Sequence, residues 1–330
     1  MPVFHNGYRR YEGDFTHPRT RWLPIVRTGV TLAWRSKLLR RLVVVAHLPL
    51  LYFGLVFIAV GKLTDPGFDG GSGPWKDLAE GLWGPVITRL LQDDPAVVRT
   101  AVWSIVFSAF GSTMHLGLTA LAAAIAGPPL IARDTASRAF LLYFSRPVSF
   151  GDYILGKLGV LCVVLGLVTV SPTLVLYVLS IVLSPSLETF LHTLPVLGSA
   201  ILAGLSLIVP AALVMLTLSS LVTQPRFAAA AWAVVCIFGL IFHHALVNAG
   251  NLHGEVWPRF FSLGDTTRSV SLWIYNVPSR LERVPGLERF EALDFVVPPH
   301  GGLQSFLFLV GLCVVCILVL RRRVSAPTRV

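Results

Sequence analysis

Charge is what this sequence has least of. Only 13% of its 330 residues are Asp, Glu, Lys or Arg, against 54% hydrophobic, and its mean hydropathy is +0.72. Soluble domains carry about a quarter charged residues, so two water-soluble domains are excluded and an all-α polytopic membrane protein is indicated. Acidic residues are the scarcer sign, 17 against 27 Lys and Arg, and none falls inside a long apolar run. With no carboxylate there to orient an imidazole or complete a metal site, an intramembrane enzyme built on His115 or on His243 and His244 is disfavoured. Cysteine is sparse: Cys162, Cys236, Cys313 and Cys316 all lie in apolar runs. That excludes a disulfide framework, and the Cys313-x-x-Cys316 pair lacks the polar surroundings of a redox or zinc site. No repeat relates the first three runs to the last three, which counts against an inverted-repeat secondary transporter.

What is there is six apolar runs, at 42–60, 101–125, 158–183, 194–221, 228–246 and 303–320. Each is long enough to cross about 30 Å of hydrocarbon as a helix, and helix is the one open conformation that satisfies its own backbone in lipid. The net charge of +10 follows topology and does not form a nucleic-acid-binding patch. Eighteen Lys and Arg fall on the side of the N-terminus, in the 127–157 loop, at Arg226 and in the 321–330 tail, and nine on the other side. The excess of positive charge places both termini in the cytoplasm, and a bacterial cytoplasmic (inner) membrane is the expected location. Residues 1–20 read as a basic tail without the immediate apolar core of a signal peptide. Over 21–41, Trp22, Ile25, Val26, Val30, Ala33 and Trp34 recur at helical spacing among arginines, the pattern of a helix lying in the headgroup region, although a disordered basic tail remains an alternative. Two outer segments are sizeable. Residues 61–100 include an amphipathic stretch with Trp75, Leu78, Leu82 and Trp83; residues 248–302 carry Trp257, Phe260, Phe261, Trp273 and Tyr275.

The 127–157 segment organises the chain. Gly127, Pro128 and Pro129 should end the second span, since proline lacks an amide donor and restricts its predecessor. A new short helix is expected from Asp134 to Tyr143, with Asp134 in its first turn and within reach of Arg138. Ala139, Phe140, Leu141, Leu142, Tyr143 and Phe144 are apolar on every side, so a second apolar surface must dock there.

Here the chain resembles the membrane subunit, or permease, of ABC-2 type ABC transporters. The matching residues are Arg133, Asp134 and Ser137, the Leu141-Leu142 pair, Arg146-Pro147-Val148-Ser149, and Tyr153-Ile154-Leu155-Gly156-Lys157. The resemblance covers about thirty residues closely and the span layout loosely. It implies an ABC-2 (type V exporter-like) transmembrane domain over 42–320 with an N-terminal interfacial elbow helix and a cytoplasmic coupling helix. Two such subunits, as a homodimer or heterodimer in the lipid, would join two separate ABC ATPase subunits that bind ATP and Mg. This chain would bind no cofactor or metal of its own, contribute no catalytic residue and contact no nucleic acid. In that scheme Leu141, Leu142 and Tyr143 fill a groove on the ATPase, Arg138 and Arg146 pair with acids on its rim, Asp134 holds the helix start and Pro147 ends it. The family also has short re-entrant helices between spans five and six; Ser269 to Val277 is the best match, with an ordinary packed loop equally open.

Other motifs are weaker. Gly151 to Leu158 nearly spells a phosphate-binding loop, but Leu158 replaces the required Ser or Thr, no strand precedes it and the following helix enters lipid. Lys157 is then expected to keep its stem in lipid and its amine in water. Ser112 and Thr113 on span two, with Ser171 and Thr173 on span three, either line a substrate path with His115 or serve helix packing. Pro172 and Pro210 are expected to kink their helices. A second functional reading keeps the ATPase and replaces transport with force transmitted to an extracytoplasmic protein.

Overall fold

A computed structural model describes residues 20–63, 77, 103–108, 110–111, 115–139, 149–182, 188–250, 252, 255–277 and 301–325. Every regular element among them is helical. In order they are α1 (Leu23–Trp34), α2 (Lys37–His47), α3 (Pro49–Leu63), α4 (His115–Ala126), α5 (Pro129–Ala136), α6 (Phe150–Val168), α7 (Val170–Val182), α8 (Glu188–Leu221), α9 (Pro225–Ala249), α10 (Leu263–Ile274) and α11 (Gly302–Ser325). Residues 103–108 form a further helical piece, and a 3-10 turn spans Trp257–Phe261. Six helices are long and apolar enough to cross a membrane: Lys37–Leu55, His115–Ala136, Phe150–Val168, Thr193–Leu221, Pro225–Ala249 and Gly302–Val324. The fold is that of a multi-pass membrane protein.

The long helix α8 is the spine. Its 34 residues span about 51 Å at 1.5 Å per residue, and α4, α5, α6, α7, α9, α10 and α11 all pack on it. It runs unbroken through Pro195 and Pro210, whereas the third span breaks at Thr169, three residues before Pro172. Two cores lie along the spine. Near the 127–157 segment, small and aliphatic side chains interlock: Ala122, Ala123 and Ala126 from α4, Leu161 and Leu165 from α6, Ala211, Ala212 and Met215 from α8. Beyond the breaks the packing is aromatic, with Phe57 edge-on to Trp103 at 5.2 Å and Trp103 edge-on to Tyr177 at 6.4 Å.

The basic segment 21–41 divides. Its first part is α1, while Ser36 accepts a hydrogen bond from Leu39 N–H and starts α2, so residues 37–41 belong to the first span, which begins earlier than 42. Helix α1 packs along α6 through three glycines. A Cβ on Gly156 would sit 2.7 Å from Ile25, one on Gly159 2.7 Å from Val26, and one on Gly29 would collide with Val160. Helix α6 itself starts in a capping box: Ser149 Oγ accepts from Asp152 N–H at 3.1 Å and Asp152 Oδ2 accepts from Ser149 N–H at 3.0 Å. The sequence resembling a phosphate-binding loop is therefore plain helix within α6. The amphipathic stretch at 78–90 lies outside the described residues.

Gly156→Val should force α1 off α6, an overpacking cost of about 1–3 kcal/mol. Trypsin is expected to cut after Arg35 faster in that variant. Gly166→Val, at a site with nothing within 4 Å of the added carbon, should cut at the parental rate.

Candidate functional site

Helix α4 ends at Ala126, as the Gly-Pro-Pro run demands, but the helix that follows starts at once and belongs to the same candidate span, which reaches Ala136. That helix covers Pro129–Ala136 and is followed by a turn at 137–139, so Asp134 stands near its end and not in its first turn; residues 140–143 of the helix expected from Asp134 to Tyr143 lie outside the described residues. The reason is the prolines. Pro129 is favourable in the first helical turn, where its missing N–H is not needed, so the chain re-enters helix one residue after the break. Pro128 offers no side chain to cap that turn. Span four supplies the cap instead: Ser219 Oγ accepts from Ile131 N–H at 3.2 Å and Ala132 N–H at 3.0 Å, and its hydroxyl donates to Pro128 O at 2.8 Å. Ser219 is fully buried.

The other end of α5 is closed by backbone geometry. Arg138 takes a left-handed conformation at φ 52°, Arg138 N–H donates to Thr135 O and Ala139 N–H to Asp134 O, the bonding of a Schellman turn. Helix therefore does not continue through Ser137 and Arg138. Asp134 is held by span three: its Oδ2 lies 2.7 Å from Lys157 Nζ and accepts from the Tyr153 hydroxyl at 2.8 Å. The Arg138 partner expected for Asp134 is replaced by Lys157, nineteen or more residues on being nearer in space than four. Lys157 itself is buried at 8% exposure with its amine also 5.4 Å above the Tyr153 ring, which overturns its reading as a cation in water. Of the other residues expected to contact an ATPase, Arg133, Ser137 and Arg138 are exposed. Leu141, Leu142, Tyr143, Arg146 and Pro147 lie outside the described residues.

Further along the spans, two breaks meet a wide helical turn. Span one is interrupted at Leu48 before Pro49 and span three at Thr169, and the wide turn lies at 110–111, with 109 and 112–114 outside the described residues. His115, fully buried, places Nδ1 2.7 Å from Phe110 O and Nε2 3.0 Å from Ala46 O. Both carbonyls only accept, so neutral imidazole donates to one of them and imidazolium to both. His47 completes the layer. Its Nδ1 lies 2.8 Å from Val43 O, which makes that nitrogen the donor, and leaves Nε2 to accept from the Ser171 hydroxyl at 3.3 Å. His115 and Ser171 thus join span to span. Thr173 instead lines a cavity of about 20 Å³ beside Thr169, with Thr267, Arg268 and Ser271 of α10 across from it, room for one water. Ser112 and Thr113 are outside the described residues.

Helix α10 packs against α8, α9 and α11 and starts earlier than Ser269. It brings something the spans lack, since Asp265 Oδ2 lies 3.8 Å from Nε2 of His243, which is 9% exposed. A carboxylate does reach a buried imidazole, while the neighbouring His244 is exposed; the acid comes from the short helix and not from a span. Arg259, buried at 7%, donates to Ser269 Oγ at 3.2 Å. Burial pushes its guanidinium pKa down while Asp265 pulls it back up. Among the described residues no group of three or more His, Cys, Asp or Glu could hold a metal.

Sequence reasoning missed Ser219, Tyr153, His47 and Asp265. Only Asp265 left a signal, a Ser262-x-x-Asp265 helix start in which Asp265 N–H donates to Ser262 Oγ at 3.2 Å.

Ser219→Ala should lower stability in detergent by about 1–3 kcal/mol, the cost of leaving buried backbone groups unpaired. Asp134→Asn should cost about 3 kcal/mol and the double change with Lys157→Met markedly less, because removing one partner strands a buried charge; thermal unfolding of the three variants measures both. Compared with known proteins, the chain matches no family model and no curated protein.

Proposed function

We propose that this chain is the transmembrane permease subunit of an ATP-driven ABC-2 type transporter, an exporter in which ATP and Mg are bound by two separate ATPase subunits. Two permease subunits, identical or related, would make the membrane part, in the bacterial inner membrane with both termini in the cytoplasm. The observation that supports this best is the double anchoring of α5, tied to span four through Ser219 and to span three through Asp134 and Lys157.

An ATPase gripping the segment from Arg133 to Pro147 would push on α5. Because α5 is short and held at both ends, it would move as a rigid piece and take spans three and four with it. The breaks at Leu48 and Thr169, and the wide turn at 110–111, are where the rest of spans one to three could bend in response. Leu141, Leu142 and Tyr143 supply the apolar grip in this reading, and exposed Arg133 and Arg138, with Arg146, its charged rim. Substrate would pass near Thr173 and between the two subunits, with Ser112, Thr113, His115 and Ser171 on the same stretch of spans two and three.

One observation favours a second reading, force transmission to an extracytoplasmic protein. The cavity between span three, span four and α10 has room for a single water, while α8 joins α5 at one end to α10 toward the other. A mechanical lever needs that continuity and no wide passage.

Leu142→Arg, which puts a charge into the apolar grip, should abolish co-purification of the ATPase subunit and leave the yield of folded membrane protein unchanged. ATPase recovered at the parental ratio would overturn the coupling reading.

A further inference from the structure

Beside α5 lies a groove that shares Arg133, Asp134 and Lys157 with the coupling proposal but is otherwise lined by residues that proposal does not use. It encloses about 540 Å³ between α1, the end of α4 and α5, with α6 as its floor. Ile25, Leu32, Ile125, Leu130 and Val160 give it apolar walls, and Leu32 is 55% exposed. The volume and the mix of apolar lining with a few polar groups are those of a ligand site.

Its charge identifies the ligand. Asp134 is the one acid in the lining and is neutralised at 2.7 Å by Lys157, also in the lining, so exposed Arg133 sets the sign of the mouth. A second recess on α1 shares Pro24, Thr28 and Leu32 with the groove and adds exposed Arg27 and Arg35. The groove lies between the end of α4 at Ala126, α5, and the first turns of α6, which starts at Phe150; in the topology proposed above this is the cytoplasmic end of spans two and three, where headgroups would be. Basic pockets between helices at that depth suit anionic headgroups, and a guanidinium suits the phosphate geometry.

We infer that this groove is a binding site for one anionic phospholipid, its phosphate on Arg133 and the Thr28 hydroxyl and an acyl chain along Leu32, Ile125 and Leu130. The lipid fills the space between the entrance helix α1 and the linker α5 and so completes the packing there. The site does not depend on an ATPase partner, and its test needs none.

The experiment is native mass spectrometry of the full chain released from detergent micelles containing phosphatidylglycerol or phosphatidylcholine. Phosphatidylglycerol should be retained at one per chain and at least about fivefold better than phosphatidylcholine, the factor that one arginine near a headgroup provides. Arg133→Gln should remove that preference, Thr28→Trp should fill the groove and block retention, and Arg226→Gln, an exposed cation elsewhere at the span ends, should change nothing. Excess inorganic phosphate should leave the lipid bound. Equal retention of both lipids, an Arg226→Gln loss matching that of Arg133→Gln, or displacement by phosphate would each overturn the assignment. The Arg133→Gln result stands alone should Thr28→Trp fail to fold.

Discussion

In a bilayer, a backbone group set free by a break in a helix has no water to turn to, and the protein must supply its partner. This chain breaks its helices repeatedly, and side chains repair the breaks, some from the same span, as Thr173 does for the Thr169 carbonyl, and some from another span. Ser219 of α8 receives the amides of Ile131 and Ala132 and bonds the Pro128 carbonyl after the Gly-Pro-Pro break. His115 sits between carbonyls of Phe110 and Ala46, beside the wide turn of span two and the break of span one. The arrangement of the first four spans depends on the repairs made between spans, because each of those fixes two spans at a common depth.

The same bonds divide the bundle into parts that can move as units. Helix α5 belongs mechanically to α8 and α6, since its start is capped by Ser219 and its end is held by Lys157 and Tyr153. On the far side of the His47–His115 layer, α3, the 103–108 piece and α7 form an aromatic cluster in which Phe107 touches both Phe57 and Tyr177. A bundle with one aliphatic and one aromatic core, joined by a polar layer at the breaks, can flex at that layer without opening either core. This mechanical picture holds for both a transporter and a force-transmitting subunit.

Much of this could be read from the residues. Six apolar runs without a single acid became six candidate spans, and Gly127-Pro128-Pro129 ended α4 at Ala126, although the stretch apolar enough to cross continues to Ala136. Where reading failed, the cause was a partner distant in the chain. Asp134 looked toward Arg138 because both lie on one short stretch, yet Tyr153 and Lys157 stand opposite it once α6 folds back. Ser219 was one hydroxyl among many in an apolar helix, and only the fold shows which backbone it faces. Asp265 escaped because the search for carboxylates was confined to the spans, while α10 folds among them. The segment at 21–41 split because Ser36, an inconspicuous N-cap between Arg35 and Lys37, divides it.

The central claim is that the linker between spans two and three faces the cell interior, where an ATPase can reach it. Cysteine placed at Ser137, which is exposed at the end of α5, tests this directly with a membrane-impermeant maleimide. The account predicts that the thiol is labelled only after the cells are permeabilised; labelling of Ser137→Cys in intact cells would contradict it.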